Sequence, residues 1–432
     1  MSDLHLSEII GAPIVATGGQ RLGKLRDAVA KLPGQGGYPV IAGLVVKVGR
    51  REIYVGARKI VALGAQEIRL NTAELDIRPF ERRPGEVLLR RDLLGHRLID
   101  VPAARLVRAH DVEVSLSGRS WQVTGVDTVA RRRLFGLLST SAHAVRDWKD
   151  FEPLIGHRES EVARGRRSRL THLRPAQIAD LVEEADREET EEILHAVHND
   201  AELEADVFEE METDRQVEVL RERSDAEVAD VLMHMRADDA ADLIAELPQD
   251  RRLPLLGLLP VGTQIKIRAL LGFNPATAGG MMNPDFLALP EDISVEEALR
   301  RVSKSTKMSH EVLVSLPVTR GTTLCGAIGL VALLQADRKA TLAHVADGDP
   351  VRVHPDADVT EVAIRMTDFN LLAIPVVDDA NSLLGVITVD DLLEVTVPEA
   401  WRRREDGAAT SDSMGGSDPG APVPPQSAAA TP

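Results

Sequence analysis

The sequence predicts a multidomain chain of mixed α/β and β structure. Small β-barrels come first, an all-α superhelical domain follows, and a tandem α/β module comes last. Three observations lead there. The first 150 residues are built of short apolar runs separated by Gly-rich turns, and their pattern occurs twice. Between Leu173 and Gly272 apolar residues recur at three- and four-residue spacing, the period of one-sided helices. From Asn283 to Pro398 one order of strands and helices is used twice. The predicted boundaries are residues 1–150 for the β region, 151–171 for a basic linker and 172–282 for the helices. The tandem module takes 283–398, and a disordered tail takes 399–432.

Bulk composition is that of a protein with ample core. The 432 residues are 44% hydrophobic and 28% charged, with only 3% aromatic. The net charge of −17 is unevenly spread. Residues 1–150 hold 24 Lys+Arg against 16 Asp+Glu, whereas 173–272 hold 10 Lys+Arg against 26 Asp+Glu. Opposite charge lets the basic region pack on the acidic one. The one cysteine, Cys325, excludes an internal disulfide framework and suits a reducing compartment. The opening MSDLHLSEII has no basic segment leading into an apolar core, so no signal peptide is read there. The longest apolar candidates, LPLLGLLPVG and CGAIGLVALL, are too short to span a bilayer. The expectation is a cytoplasmic protein without a transmembrane segment of its own, at most peripheral at the inner membrane face.

In the β region, SEIIGAPIVATGGQRLGKLRDAVAKL is echoed by RDLLGHRLIDVPAARLVRAHDVEVSL. VVKVGRREIYV and VSLSGRSWQVTGV add what reads as one hairpin to each copy. This resembles a tandem pair of PRC-barrel modules, which implies interaction rather than catalysis. Nucleic acid is not expected as a partner, because Tyr38, Tyr54 and Trp121 are scattered and leave no stacking platform.

The helical region is a train of short units punctuated by Asp200, Thr213, Ser224, Pro248 and Pro260. Ser, Thr and Asp accept from the free N–H groups of a first turn, and Pro needs no partner there. Such repeats stack, each burying its stripe against neighbours. Most of the carboxylates read as solvated surface. Asp238 and Asp242, however, lie one turn apart on one helix face, where like charges repel unless a cation intervenes.

The segment DDAADLIAELP, with TAGGMMNPDFLALPEDISVEEALRRV some 30 residues on, resembles the cytosolic part of the MgtE family of magnesium channels. That resemblance implies an acidic N domain joined to two CBS repeats by Mg2+. It carries Asp238 and Asp242 over as N-domain metal ligands, with Gly279 or Gly280 as a junction carbonyl. From the second CBS repeat it carries over Asp358, Asp391 and Glu394, while Asn370 stands where the family has Asp. The pore helices of the family are not found, and Pro398 with Arg402, Arg403 and Arg404 replaces its acidic connecting helix.

IPVVD, LLGVIT and DDLLEV match the CBS pattern, so the module resembles a Bateman pair that dimerises. CBS repeats hold adenine nucleotides through Thr-x-x-Asp, present here as Thr388 and Asp391. The first repeat has Gly329 and Ala332 instead. No phosphate-binding Gly-rich loop, nucleophile elbow or Cys cluster is present, so an enzyme is not expected. The expected role is Mg2+ sensing, signalled to a partner such as a membrane transporter. A transport component docking on a separate pore and an ATP sensor are the alternatives.

Overall fold

The computed structural model describes residues 4–32, 37–83, 85–118, 120–129, 145–154, 169–306 and 308–397, with short strands at 133–134 and 137–138. The expected tail, and residues 155–168 of the expected linker, lie outside the described residues.

The N-terminal unit is one curled sheet shared by both copies of the repeat. The first copy comprises β1 (Leu4–His5), α1 (Leu6–Ile9), β2 (Pro13–Ala16), β3 (Arg21–Lys31), β4 (Val40–Val48) and β5 (Arg51–Gly56), followed by β6 (Ile60–Ala62) and β7 (Ile68–Leu70). The second comprises β8 (Glu86–Leu88), a π turn (Leu89–Leu93), β9 (Arg97–Asp100), β10 (Arg105–Arg108), β11 (Asp111–Ser117) and β12 (Ser120–Asp127). After them come β13 (Arg133–Leu134), β14 (Leu137–Leu138), β15 (Val145–Asp147) and β16 (Phe151–Pro153). Eleven strands form the main sheet, and β9 is flanked by β10 and β16 in a second one.

The copies exchange their first elements. β1 pairs with β11 of the second copy, and β8 pairs with β3 of the first. Buried carboxylates fasten each exchange. Asp111 accepts from Ser7 N at 3.1 Å and from Ser7 Oγ, holding α1. Asp27 accepts from Arg90 N at 2.7 Å and Arg91 N at 3.1 Å, holding the π turn. The chain then leaves through Gly11 at φ 86° and Gly95 at φ 83°, a left-handed conformation suited to glycine. The second copy has one residue more in this turn, and π winding absorbs it. This equivalence matches β3–β4 with β11–β12, not β4–β5 as the sequence suggested. The Gly-Arg turns of VVKVGRREIYV and VSLSGRSWQVTGV are alike locally, but the docking of Asp27 and Asp111 sets the true correspondence.

The helical domain runs α2 (Pro175–Glu184), α3 (Arg187–Val197), α4 (Ala201–Glu209), α5 (Thr213–Leu220), α6 (Asp225–His234), α7 (Ala237–Glu246), α8 (Gln249–Leu258) and α9 (Val261–Leu270). Helices pack on their next-but-one neighbours: α2 on α4, α4 on α6 and α6 on α8, with α5 on α7 and α7 on α9. That is the superhelical stack expected. The predicted stripes are buried, including Ile178, Leu181, Val228, Leu232, Ala240 and Leu243. Asp200 and Ser224 cap as anticipated, accepting from Leu203 N and Glu227 N. Thr213 falls one residue inside its helix, with Glu212 at the cap position.

The basic unit docks on the acidic one. Ile99 and Leu154 join the core of the helical domain. Arg97 Nε donates to Glu189 at 2.9 Å, and its Nη1 donates to the Glu184 carbonyl at 3.0 Å, closing the open end of α2.

A short helix, α10 (Ala278–Met281), leads into the α/β module. Its first repeat holds β17 (Leu289–Pro290), α11 (Val295–Lys304), α12 (His310–Leu313), β18 (Ser315–Arg320), β19 (Thr323–Gly329) and α13 (Leu330–Gln335). The second holds α14 (Leu342–Val345), α15 (Val359–Asp368), β20 (Ala373–Val377), β21 (Leu383–Thr388) and α16 (Val389–Thr396). Here too the copies cross. Asn283, near the start of the first repeat, bridges Val386 of the second, and Asp347, near the start of the second, bridges Ala327 of the first. Gly385 and Gly326 allow this close approach, since a Cβ would lie 2.8 Å from the Met282 side chain and from the Asp347 carbonyl respectively.

Candidate functional site

The start of α7 meets the start of α16, and Arg236 lies between them. The residue stands at the N-cap position of α7 without capping it. Its Nε donates to Asp239 at 2.7 Å, and its Nη1 reaches across the junction to Asp391 at 3.0 Å. Glu209 lies 3.5 Å from Nε and Glu394 lies 3.9 Å from Nη2. The Arg236 main-chain N–H also donates to Glu209. One guanidinium is thus shared by carboxylates of the helical domain and of the second α/β repeat.

Asp238, the next side chain but one, is only 6% exposed, and its Oδ1 has no hydrogen-bond partner. Burial, with the Asp239 charge beside it, holds its carboxyl well above the usual carboxylate range. Burial raises Asp239 too, against the pull of Arg236. Burial and the Asp239 charge push Glu209 up to about 8. The surrounding carboxylates overcome burial and keep Arg236 charged far beyond its ordinary range.

Thr388 and Asp391 form a reciprocal cap on α16. Asp391 Oδ2 accepts from Thr388 N and Thr388 Oγ1, both at 2.8 Å, and Thr388 Oγ1 accepts from Asp391 N at 3.3 Å. With Oδ1 on Arg236, both carboxylate oxygens are engaged, and the two residues are buried. The first repeat places Gly329 at the same point, with no side chain to cap α13.

The other candidates are spread along the junction. Asp242 stands at the mouth of a pocket of about 120 Å3 shared with Phe273, Pro275 and Gly280. Partial desolvation there, with Asp239 and Glu246 near, pushes its carboxyl up to about 6. Gly279 donates its N–H to the Pro355 carbonyl at 2.8 Å. A Cβ on Gly279 would strike the Phe273 ring at 2.6 Å, and one on Gly280 the Asn274 carbonyl at 2.5 Å. Packing alone therefore explains both glycines. Asp358 caps α15, accepting from Glu361 N at 2.9 Å. Asn370 ends that helix at φ 52°, a conformation Asn tolerates.

The structure therefore brings Asp238, Asp391 and Glu394 to one side of the junction around Arg236, and leaves Asp358 at a separate contact. Among the described residues no three His, Cys, Asp or Glu side chains converge as a metal cage. Sequence reasoning missed Arg236, Asp239 and Glu209. The signal available was a lone arginine at the start of an acidic helix, where the backbone dipole disfavours a cation.

Known proteins match this part of the chain. Residues 173–276 match the family model of the MgtE intracellular N domain, and residues 278–339 and 342–397 each match that of the CBS domain. A magnesium transporter MgtE of Thermus thermophilus is 34% identical over 143 residues, 33% of this chain and 32% of that protein. One of Enterococcus faecalis is 30% identical over 31% of this chain and 30% of its own length. The chain thus spans about a third of the length of these curated relatives. The crystal structure of the cytosolic domain of the Mg2+ channel MgtE in complex with ATP is 28% identical. It covers 52% of this chain and 92% of its own at a TM-score of 0.49. Among the described residues no helix is long and apolar enough to cross a membrane.

Proposed function

We propose that this chain, an MgtE intracellular N domain joined to a CBS pair, is a cytoplasmic Mg2+-sensing regulatory protein. The observation that carries the reading is the buried Asp238 carboxyl at the junction, whose Oδ1 has no hydrogen-bond partner. A buried charge without a partner is costly, and a cation relieves it. Mg2+ takes one or two carboxylates and keeps several waters, so it requires no protein cage. Asp238 and Asp242 would hold it from the helical side, with Asp391 and Glu394 from the CBS side. A Gly279 carbonyl and Asp358 serve the neighbouring contact. Ion binding there strengthens the closed pairing of the domains, and this strengthening is the signal to a partner such as a membrane transporter. The CBS pair is the surface for a homodimer.

A second reading is an adenine-nucleotide sensor, favoured by the Thr388–Asp391 juxtaposition. Because Arg236 occupies Asp391 Oδ1, a nucleotide that uses this carboxylate must displace the guanidinium. Titration calorimetry with Mg2+, Ca2+ and ATP separates the two. The Mg2+ reading expects heat with Mg2+ that disappears in Asp238→Asn and persists without nucleotide. Heat with ATP alone, lost in Asp391→Ala, selects the nucleotide reading. No heat with either ligand rejects both.

A further inference from the structure

Arg236 stands where a cation is disfavoured. It sits at the positive end of α7, and its side chain is 31% exposed. Only pairing offsets both costs. The pairing crosses domains: Asp239 and Glu209 come from the helical domain, Asp391 and Glu394 from the second CBS unit. The helical side is otherwise negative around it, with Asp206, Glu210 and Asp238 close by, and Asp390 faces them from α16. Without a cation these two surfaces repel.

We infer that Arg236 is a built-in counter-ion that latches the acidic helical domain to the second CBS unit by bridging Asp239 and Asp391. The latch has two consequences. The junction closes without a divalent ion, so an added ion tunes a closed state instead of creating it. Any ion or ribose that uses Asp391 must compete with the guanidinium, so Arg236 raises the concentration at which either ligand acts. This second consequence rests on the reading above; the latch itself does not.

The test uses the full chain in chelator, followed by millimolar Mg2+, with small-angle scattering and broad-specificity proteolysis across the exposed 271–277 segment. The wild-type protein is expected to be compact and protected in chelator. Arg236→Gln is expected to expand and to be cut at least about ten-fold faster, since a buried ion pair has lost one partner. Arg236→Lys, which keeps the charge but not the fork, falls between. Equal scattering and equal cleavage of Arg236→Gln and wild type in chelator overturn the latch. Should Arg236→Gln lose its helical circular dichroism, Asp391→Asn removes the same bridge from the CBS side, and its remaining closed overturns the latch equally. Mg2+ separates this from the sensing proposal. If Arg236→Gln opens and Mg2+ neither binds nor recloses it, the latch stands and Mg2+ sensing falls. If it stays closed while Mg2+ binds, the latch falls and sensing stands.

Discussion

Asp111 in the N-terminal unit and Asp238 at the domain junction are equally hidden from water, 4% and 6% exposed. Their surroundings are opposite. Asp111 accepts from Ser7 N at 3.1 Å and Ser7 Oγ, which fasten one repeat to the other, and from its own neighbour Val112 N at 2.8 Å, so both its oxygens are engaged. Asp238 has an oxygen with no partner and a carboxyl pushed up by burial and by Asp239. Burial of a carboxylate therefore says little about function by itself. A satisfied one marks architecture, and an unsatisfied one marks where a cation or a proton is still to be supplied.

The contrast can be broken at either end. Asp111→Ala deletes three acceptor contacts and strands the Ser7 donors, so unfolding free energy should fall by about 3 kcal/mol. Chemical denaturation measures it, and Mg2+ heats should stay as in wild type. A neutral result would mean the exchanged α1 is held by packing alone.

The next largest effect is on pH dependence. Glu209 is pushed from 4.5 up to about 8, so the folded junction binds a proton that the unfolded chain releases. Its contribution to stability is complete below pH 4.5 and is lost as pH rises to about 8. Amide hydrogen exchange at the junction should therefore show it opening more easily at pH 8 than at pH 5, by on the order of 2 kcal/mol. Glu209→Gln should flatten that slope; an unchanged slope would place the titrating group elsewhere.

Smallest is Asp238→Asn. Asn matches the shape of the raised, largely protonated carboxyl, so stability in chelator should change by no more than about 1 kcal/mol, while any further gain on adding Mg2+ should be abolished. Thermal melts in both conditions read this directly. A loss comparable with that of Asp111→Ala would erase the distinction between the two carboxylates.

Much of the helical domain was legible because its signals are local. Ile178, Leu181 and Val182 declare their buried face within one helix, and Asp200 and Ser224 declare its starts. The CBS pair was legible for a similar reason, since IPVVD and LLGVIT are whole strands read in register. The N-terminal repeat was recognised but misaligned, because a shared Gly-Arg turn outweighed the strands on either side. Two further features were not legible. Neither the exchange of β1 and β8 nor the crossing of Asn283 and Asp347 leaves a mark in hydrophobic period, since exchanged and unexchanged pairings bury the same side chains.

The sequence by itself determined the order of the units, the helix faces, the charge imbalance between basic and acidic regions, and the Thr388–Asp391 spacing. Tertiary structure alone decided that Asp391 is buried, that Asp238 Oδ1 has no hydrogen-bond partner, and that Arg236 reaches Asp391 across the junction. The physical reason is range. Periodicity and capping act over three or four residues, whereas the Arg236–Asp391 contact joins groups 155 residues apart, and only folding brings those charges within hydrogen-bond distance.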